Sequence, residues 1–370
     1  MKTLKMTFLT LILIILFVAV ATYIFFQTAP QIGGIATGTR LERMKEASNF
    51  QNGKFQNLVE TPMEFPGISA MIDFFKGGKN REPDSTLVTV PFDKEQFKSG
   101  MKYDGAKMAW FGHSSILLRL SGKNILIDPV FSERASMFSF MGPERYDYSQ
   151  HVGVADLPSI DCVVISHDHY DHLDYETFKA LKGKTNKFLV PLGVGAHLAA
   201  WGIEEHHIYE HNWWESHALD DSIKLTFVPS RHFSGRAIRD RFNTLWGAWV
   251  IKGGGKNIFF GGDSGYFKGF KEIGDRLGPF DFAMLECGQY SVNWPDIHMM
   301  PEQTAQAGDD LQAKSVMPIH WGKFTLSLHA WQEPVERFIA ASEDKSFSVV
   351  TPKLGEIIAL DSVPHHLWWK

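Results

Sequence analysis

From residue 107 onward, short apolar runs alternate with clusters of Gly, Asn, Asp and Pro. Runs of this length, bounded by breakers, predict β-strands over 108–111, 115–120, 124–127, 162–166, 187–190, 224–228, 248–251, 257–260, 282–285 and 315–319. Apolar positions recurring at helical spacing predict helices over 175–181, 194–201, 267–276, 301–311 and 331–342. Strands and amphipathic helices share this region, so it reads as one domain of mixed structure.

The N-terminus has a different pattern. Lys2 and Lys5 precede a nearly uninterrupted apolar run from Met6 to Phe26, and roughly 20 apolar residues are what a helix needs to cross a bilayer. Residues 1–28 therefore predict a membrane anchor. Ala19-Val20-Ala21 also fits a small-x-small cleavage site, the mark of a signal peptide. The apolar character continues through Tyr23-Ile24-Phe25-Phe26, which favours the anchor. Lysines on the short leading side place the rest of the chain on the non-cytoplasmic face, periplasmic or extracellular. Residues 29–102, rich in Gly, Pro, Asn and charge with breakers at 61–66 and 76–80, predict a linker and an N-terminal wrap.

Composition narrows the partners. The balance of apolar, charged, Gly and Pro residues is that of a globular protein. A net charge of −5 supplies no basic face, so no nucleic acid is expected. The two cysteines, Cys162 and Cys287, lie too far apart in sequence for a CxxC motif, which argues against a disulfide scaffold or a thiolate zinc site. One echo stands out: SGKNILID at 121–128 resembles GGKNIFFGGD at 254–263. Both read as a hairpin whose second strand delivers an Asp, although Gly-Lys-Asn is also common turn chemistry.

The densest chemistry lies in VVISHDHYDHLD at 163–174, where three His and three Asp occupy eight residues behind a β-branched run. Like charges this close repel unless a cation sits among them, so the stretch predicts a metal site. His167 and His169, two apart in an extended segment, point to one side; Asp171 and His172 follow where the chain turns into a helix begun near Asp174. His232, Asp263 and His320 each end another apolar run. Imidazole and carboxylate without thiolate suit zinc, and iron or manganese fits the same set. Two divalent ions would lower the pKa of a shared water and polarise the bond it attacks, which predicts a hydrolase. A capping or surface role suits a lone His but not seven such residues together.

The order His-x-His-x-Asp-His from His167 to His172, followed by His232, Asp263 and His320, resembles the metallo-β-lactamase superfamily. The resemblance spans about 107–360. It implies an α/β fold over 103–370, an αβ/βα four-layer sandwich of two mixed β-sheets flanked by helices, and a centre of two Zn2+. It further implies that His167, His169 and His232 hold one ion, that Asp171, His172 and His320 hold the other, and that Asp263 bridges them. WFGHSSIL at 110–117, IDPVFSERAS at 127–136, GPERY at 142–146, GDSGY at 262–266 and IHWG at 319–322 are similar to the N-acyl-phosphatidylethanolamine-hydrolysing phospholipase D group. That likeness implies phosphodiester hydrolysis of such a phospholipid by a hydroxide held between the ions, with Asp263, Asp171 and His298 as catalytic groups.

Several residues keep two readings. His298 suits phosphate contact or proton delivery, and equally a local role in the helical turn before Pro301. Asp128 suits orienting a ligand imidazole or capping the turn before Pro129, the first being favoured because the resemblance places it beside the site. His113 suits a structural or a functional role, and Asp168 and Tyr170 are expected to point away from the metals. Residues 137–141 with Trp213, Trp214 and Trp246 suit an acyl groove near the membrane, or ordinary core. LECGQYSVNWP at 285–295 departs from the Gly-Ala-Tyr-Glu-Pro-Arg-like segment of the phospholipase group. The departure keeps open a lactonase or other small-ester hydrolase, and a membrane-anchored binding protein without catalysis.

Overall fold

In a computed structural model, residues 2–62, 77–99, 105–237 and 240–370 are described. The breakers expected at 63–66 and 76, and the boundary expected at 102/103, lie outside the described residues. Helix α1 (Lys2–Thr28) contains a segment, Lys5–Phe26, long and apolar enough to cross a membrane; its apolar window is not buried among the described residues, and only its end, at Phe25 and Phe26, is partly covered. The following region is not featureless. It carries α2 (Gly38–Glu46), the hairpin β1 (Phe50–Gln51) and β2 (Lys54–Phe55), and α3 (Lys94–Lys98), and it buries Met44, Phe55 and Phe97.

The next strands form the first large sheet: β3 (Lys107–Trp110), β4 (Ile116–Leu120), β5 (Lys123–Ile127), β6 (Cys162–Val164), β7 (Phe188–Pro191) and β8 (Ile208–His211). Helices α4 (Tyr175–Leu181) and α5 (Gly195–Ala200) are inserted between them. The second sheet contains β9 (Ser216–Asp220), β10 (Ile223–Val228), β11 (Ala248–Gly253), β12 (Lys256–Phe260), β13 (Phe282–Glu286), β14 (Ser315–Ile319) and β15 (Ser348–Val349), with α6 (Gly269–Leu277), α7 (Pro301–Asp310) and α8 (Glu333–Ala341) inserted. The last strand, β16 (Ile357–Ala359), returns to the edge of the first sheet beside β3.

Each sheet joins an antiparallel hairpin to parallel strands: β3–β4–β5 then β6–β7–β8 in the first, β10–β11–β12 then β13–β14–β15 in the second. The echoed segments are therefore equivalent hairpins, β4–β5 and β11–β12. Their turns, Ser121-Gly122 and Gly254-Gly255, have positive φ at both residues, the geometry that matches strand twist in a two-residue connection.

Successive strand residues face opposite sides. Trp110, Leu118, Ile125 and Ile127 of one sheet thus meet Leu225, Phe227, Trp249, Ile258 and Phe260 of the other in a shared core. Their neighbours face outward: Leu117, Leu126 and Val163 pack under Phe178, Leu181 and Leu198, while Val250, Phe259 and Leu285 pack under Phe270, Ile273 and Phe338. Burying a side chain of this size contributes about 1.5–3 kcal/mol, so both faces of both sheets hold the assembly. The result is the four-layer αβ/βα sandwich.

Candidate metal centre

The loops that follow β3, β5, β6, β10, β12, β13 and β14 bring their polar residues to one rim of the sandwich. Asp174 caps α4 by accepting from the Thr177 backbone N–H, which stops the loop after β6 and turns His167 to His172 over the sheet edge. There His167 Nε2 lies 2.9 Å and His232 Nε2 3.2 Å from the same atom, His169 Nδ1. Asp263 Oδ2 stands 3.7 Å from both of those Nε2 atoms. Its other oxygen faces elsewhere: Oδ1 is 3.2 Å from His172 Nε2 and 3.1 Å from His320 Nδ1. Asp171 Oδ2 completes this second group at 3.5 Å from His172 Nε2. All seven sequence-predicted residues therefore converge on one rim.

The donor set can be tested for a cation. His169 Nδ1 faces two other imidazole nitrogens, and a single proton satisfies at most one of those contacts, whereas a metal accepts lone pairs from all three. His172 Nε2 and Asp263 Oδ1 are close but not aligned for a hydrogen bond, and both are buried without a partner among the described residues. Polar atoms buried in this way cost free energy unless something pairs them. Burial pushes His167, His232 and His320 well below the ordinary imidazole value, which keeps those rings neutral as ligation requires, whereas for His172 burial is outweighed by Asp263 and Asp171, which raise it. Burial alone would raise the Asp263 carboxyl, but His172 holds it well below the usual range. The residues fit a pair of divalent ions.

Residues 123–321 match the family described as beta-lactamase superfamily domain. The chain belongs to the metallo-β-lactamase superfamily. This member is 44% identical over 274 residues to an uncharacterised protein of Mycobacterium tuberculosis, covering 72% of this chain and 73% of that one. It is 33% identical over 290 residues to N-acyl-phosphatidylethanolamine-hydrolyzing phospholipase D 1 of Caenorhabditis elegans, covering 74% and 80%. Igni18, a metallo hydrolase from Ignicoccus hospitalis, shares the fold with a TM-score of 0.53 at 20% identity, over 69% of this chain and 97% of its own. The protein is a metal-dependent hydrolase of this superfamily.

Around the superfamily centre lie residues that fix its imidazoles. His172 Nδ1 donates to Asp128 Oδ2 at 2.7 Å, and Asp128 Oδ1 accepts from Ser166 N at 2.8 Å. Asp128 thus orients an imidazole. His232 Nδ1 donates to the Ile297 carbonyl at 2.9 Å, leaving Nε2 for the cluster. His113 Nε2 donates to Asp171 Oδ2 at 2.8 Å, and its ring centroid lies 4.0 Å from that of His320. Asp168 points away, accepting from Gly235 N and Thr244 Oγ1 at 2.7 Å each. Tyr170 also turns away, its hydroxyl donating to the Arg236 carbonyl at 2.7 Å.

Two residues escaped the sequence reading. Buried Arg236 donates Nη1 to the carbonyls of Asp168 and Leu173, bracing the loop that carries His169 to His172. Buried Glu286 accepts from Met299 N at 2.6 Å, and its Oε2 is 3.4 Å from His298 Nδ1. The signal for Glu286 was an acidic residue closing an otherwise apolar strand, FAMLE. Burial opposes charge on His298, but Glu286 outweighs it and raises its pKa. His298 shares a cavity of about 570 Å³ with His169, Asp171, Asp263 and His320, walled by Phe233, Val292, Trp294 and Leu326. None of Met137, Phe138, Ser139, Phe140, Met141, Trp213, Trp214 or Trp246 lines it. Trp213 and Trp246 are core, joined by a 2.7 Å hydrogen bond from Trp213 Nε1 to the Trp246 carbonyl, so for these two the core reading holds and the groove reading does not.

Proposed function

We propose that this hydrolase cleaves a phosphodiester bond in a phospholipid of the N-acyl-phosphatidylethanolamine type, using two divalent ions with zinc the leading candidate. In this reading residues 1–28 anchor the chain, 29–102 link and wrap, and 103–370 catalyse on the non-cytoplasmic face of the membrane. One observation carries it: the single carboxylate of Asp263 presents one oxygen to His167 and His232 and the other to His172 and His320. His167, His169 and His232 would hold one ion, Asp171, His172 and His320 the other, and Asp263 both. Bound there, the ions would supply an activated water and draw electrons from the bond under attack.

The remaining work falls to the chain. His113 holds Asp171 in place, and Asp128 and the Ile297 carbonyl set the tautomers of His172 and His232. His298, with Nδ1 directed at Glu286, presents its other ring edge to the cavity and donates to the phosphate or protonates the leaving alkoxide. Phe233, Val292, Trp294 and Leu326 suit the body of a lipid, and Arg241, Gln289 and Asn293 on the same wall suit its polar headgroup. The name of the nematode relative supports the same substrate class.

A small-ester or lactone substrate is the second reading, because the divergent segment 285–295 supplies Gln289, Val292 and Trp294 to the cavity wall. The test uses full-length protein in detergent micelles, assayed for metal content and for turnover of bis(p-nitrophenyl) phosphate, N-acyl-phosphatidylethanolamine and a lactone. The expected result is bound zinc, cleavage of both phosphodiesters and loss of both activities with a chelator. Turnover of the lactone alone overturns the phosphodiester assignment.

A further inference from the structure

The loop between β5 and β6 carries an exposed apolar tip. We propose that residues 134–144 form a finger whose tip, Phe138, Phe140 and Met141, inserts into the interfacial layer of a lipid bilayer beside the exit of α1. This rests on the reading of α1 as a membrane span.

The stem is built to hold its shape. Arg134 and Glu144 form an antiparallel bridge and an ion pair. Ala135 N donates to the Pro143 carbonyl at 3.0 Å, Arg145 N to the Glu133 carbonyl at 2.8 Å, and Arg134 Nη1 to the Gly142 carbonyl at 2.9 Å. Gly142 sits at φ +112, where an added Cβ would meet Ser136 Cβ at 2.5 Å, so the strands of the stem close tightly under the tip. On this support Phe140 is 76% exposed and Met141 53% exposed. Large apolar side chains gathered on a rigid projection mark a surface that something covers.

The occupant is indicated by what the tip already touches. Phe138 stacks on Phe25, in the last turn of α1 within the Lys5–Phe26 segment, at 4.8 Å between centroids and 22° between planes. Phe140 follows at 5.5 Å from Phe138. The connection from α1 into the domain has no slack. Trp201 Nε1 donates to the Pro30 carbonyl at 2.6 Å, and buried Arg236 donates Nε and Nη2 to the Gln31 carbonyl at 2.9 and 2.7 Å. At Gly33 an added Cβ would meet His197 Nδ1 at 2.2 Å. The end of α1 is thus clamped to the domain, and the finger shares its depth. Where an apolar helix leaves the hydrocarbon, apolar side chains such as Phe and Leu on an adjoining surface gain by burial a short way into the boundary between headgroups and acyl chains. The tip supplies such side chains at that level.

The test places a single environment-sensitive fluorophore on Met141→Cys in the full-length protein in phosphatidylcholine vesicles; Cys162 and Cys287 are buried and leave the new thiol as the reactive one. Val18→Cys, in α1, and Val88→Cys, exposed on the domain, serve as references. The expected result is a blue-shifted emission at position 141 that lipids bearing a nitroxide near the acyl carbonyl quench and aqueous iodide does not, with the reverse at 88. Quenching by lipid nitroxide at 18 but not at 141 overturns the finger while leaving the anchor standing. Absence of lipid quenching at both 18 and 141 removes the anchor itself. A label at 141 shielded from both quenchers means a protein partner covers the tip, which also overturns the proposal.

Discussion

The two equivalent hairpins end in aspartates with different surroundings. Asp128 follows β5 directly, in a left-handed conformation at φ +39, and its carboxylate is taken up by Ser166 N, Ser166 Oγ and His172 Nδ1. Asp263 follows β12 only after Gly261 and Gly262, and its Oδ1 is buried with no aligned partner. The two-glycine extension carries the second carboxylate past the sheet edge into the cluster, while the first stays behind it. A fully bonded carboxylate is a frame; a buried one with an unmatched oxygen is a place for a cation. The same hairpin, repeated in the two halves, thus supplies one positioning residue and one group that faces both halves of the centre.

The largest effect that tests this difference is Asp263→Ala, which should abolish turnover and release metal, read by activity and elemental analysis together. Full metal content in that variant would break the two-sided role. Asp128→Ala should cost less, about 10–100-fold in metal affinity or turnover, because it frees one imidazole rather than removing a shared donor. Metal titration of the two variants side by side decides the ranking, and equal losses would erase the distinction. Gly262→Ala tests the extension: its φ of +56 and a Cβ only 2.7 Å from Ser166 Cβ predict a loss above the roughly 1–2 kcal/mol of left-handed strain alone. Gly122→Ala, in the β4–β5 turn at φ +79 with nothing within 4 Å, should cost only that strain, so the gap between the two in thermal or denaturant unfolding isolates the packing against Ser166.

Legibility followed the same division between local pattern and distant contact. β14 and α4 fall on their expected spans, 315–319 and 175–181, and the hairpins differ from expectation by a residue or two at their ends, because apolar runs between breakers are a local signal. β8 (IYEH) and β9 (SHALD) went unread because they interleave polar residues, and β15 and β16 because two or three edge residues carry no period. α2 has mostly polar residues and buries only Met44, so it resembled linker. In the centre, His167 to His172, His232, Asp263 and His320 stood out as polar residues at strand ends. Arg236 and Glu286 did not, since their partners, the carbonyls of Asp168 and Leu173 and the backbone of Met299, are visible only once the chain is folded.

Residue type and order determined which donors are available, that strand ends deliver them, and that an apolar helix precedes the domain, because these depend on neighbours a few positions away. Only the tertiary structure decided which oxygen of Asp263 meets which imidazoles, that Asp128 stands behind His172, and that Phe138 lies on Phe25. Those choices depend on how two sheets stack and where their loops meet, and contacts between residues far apart in sequence leave no period in the chain that makes them.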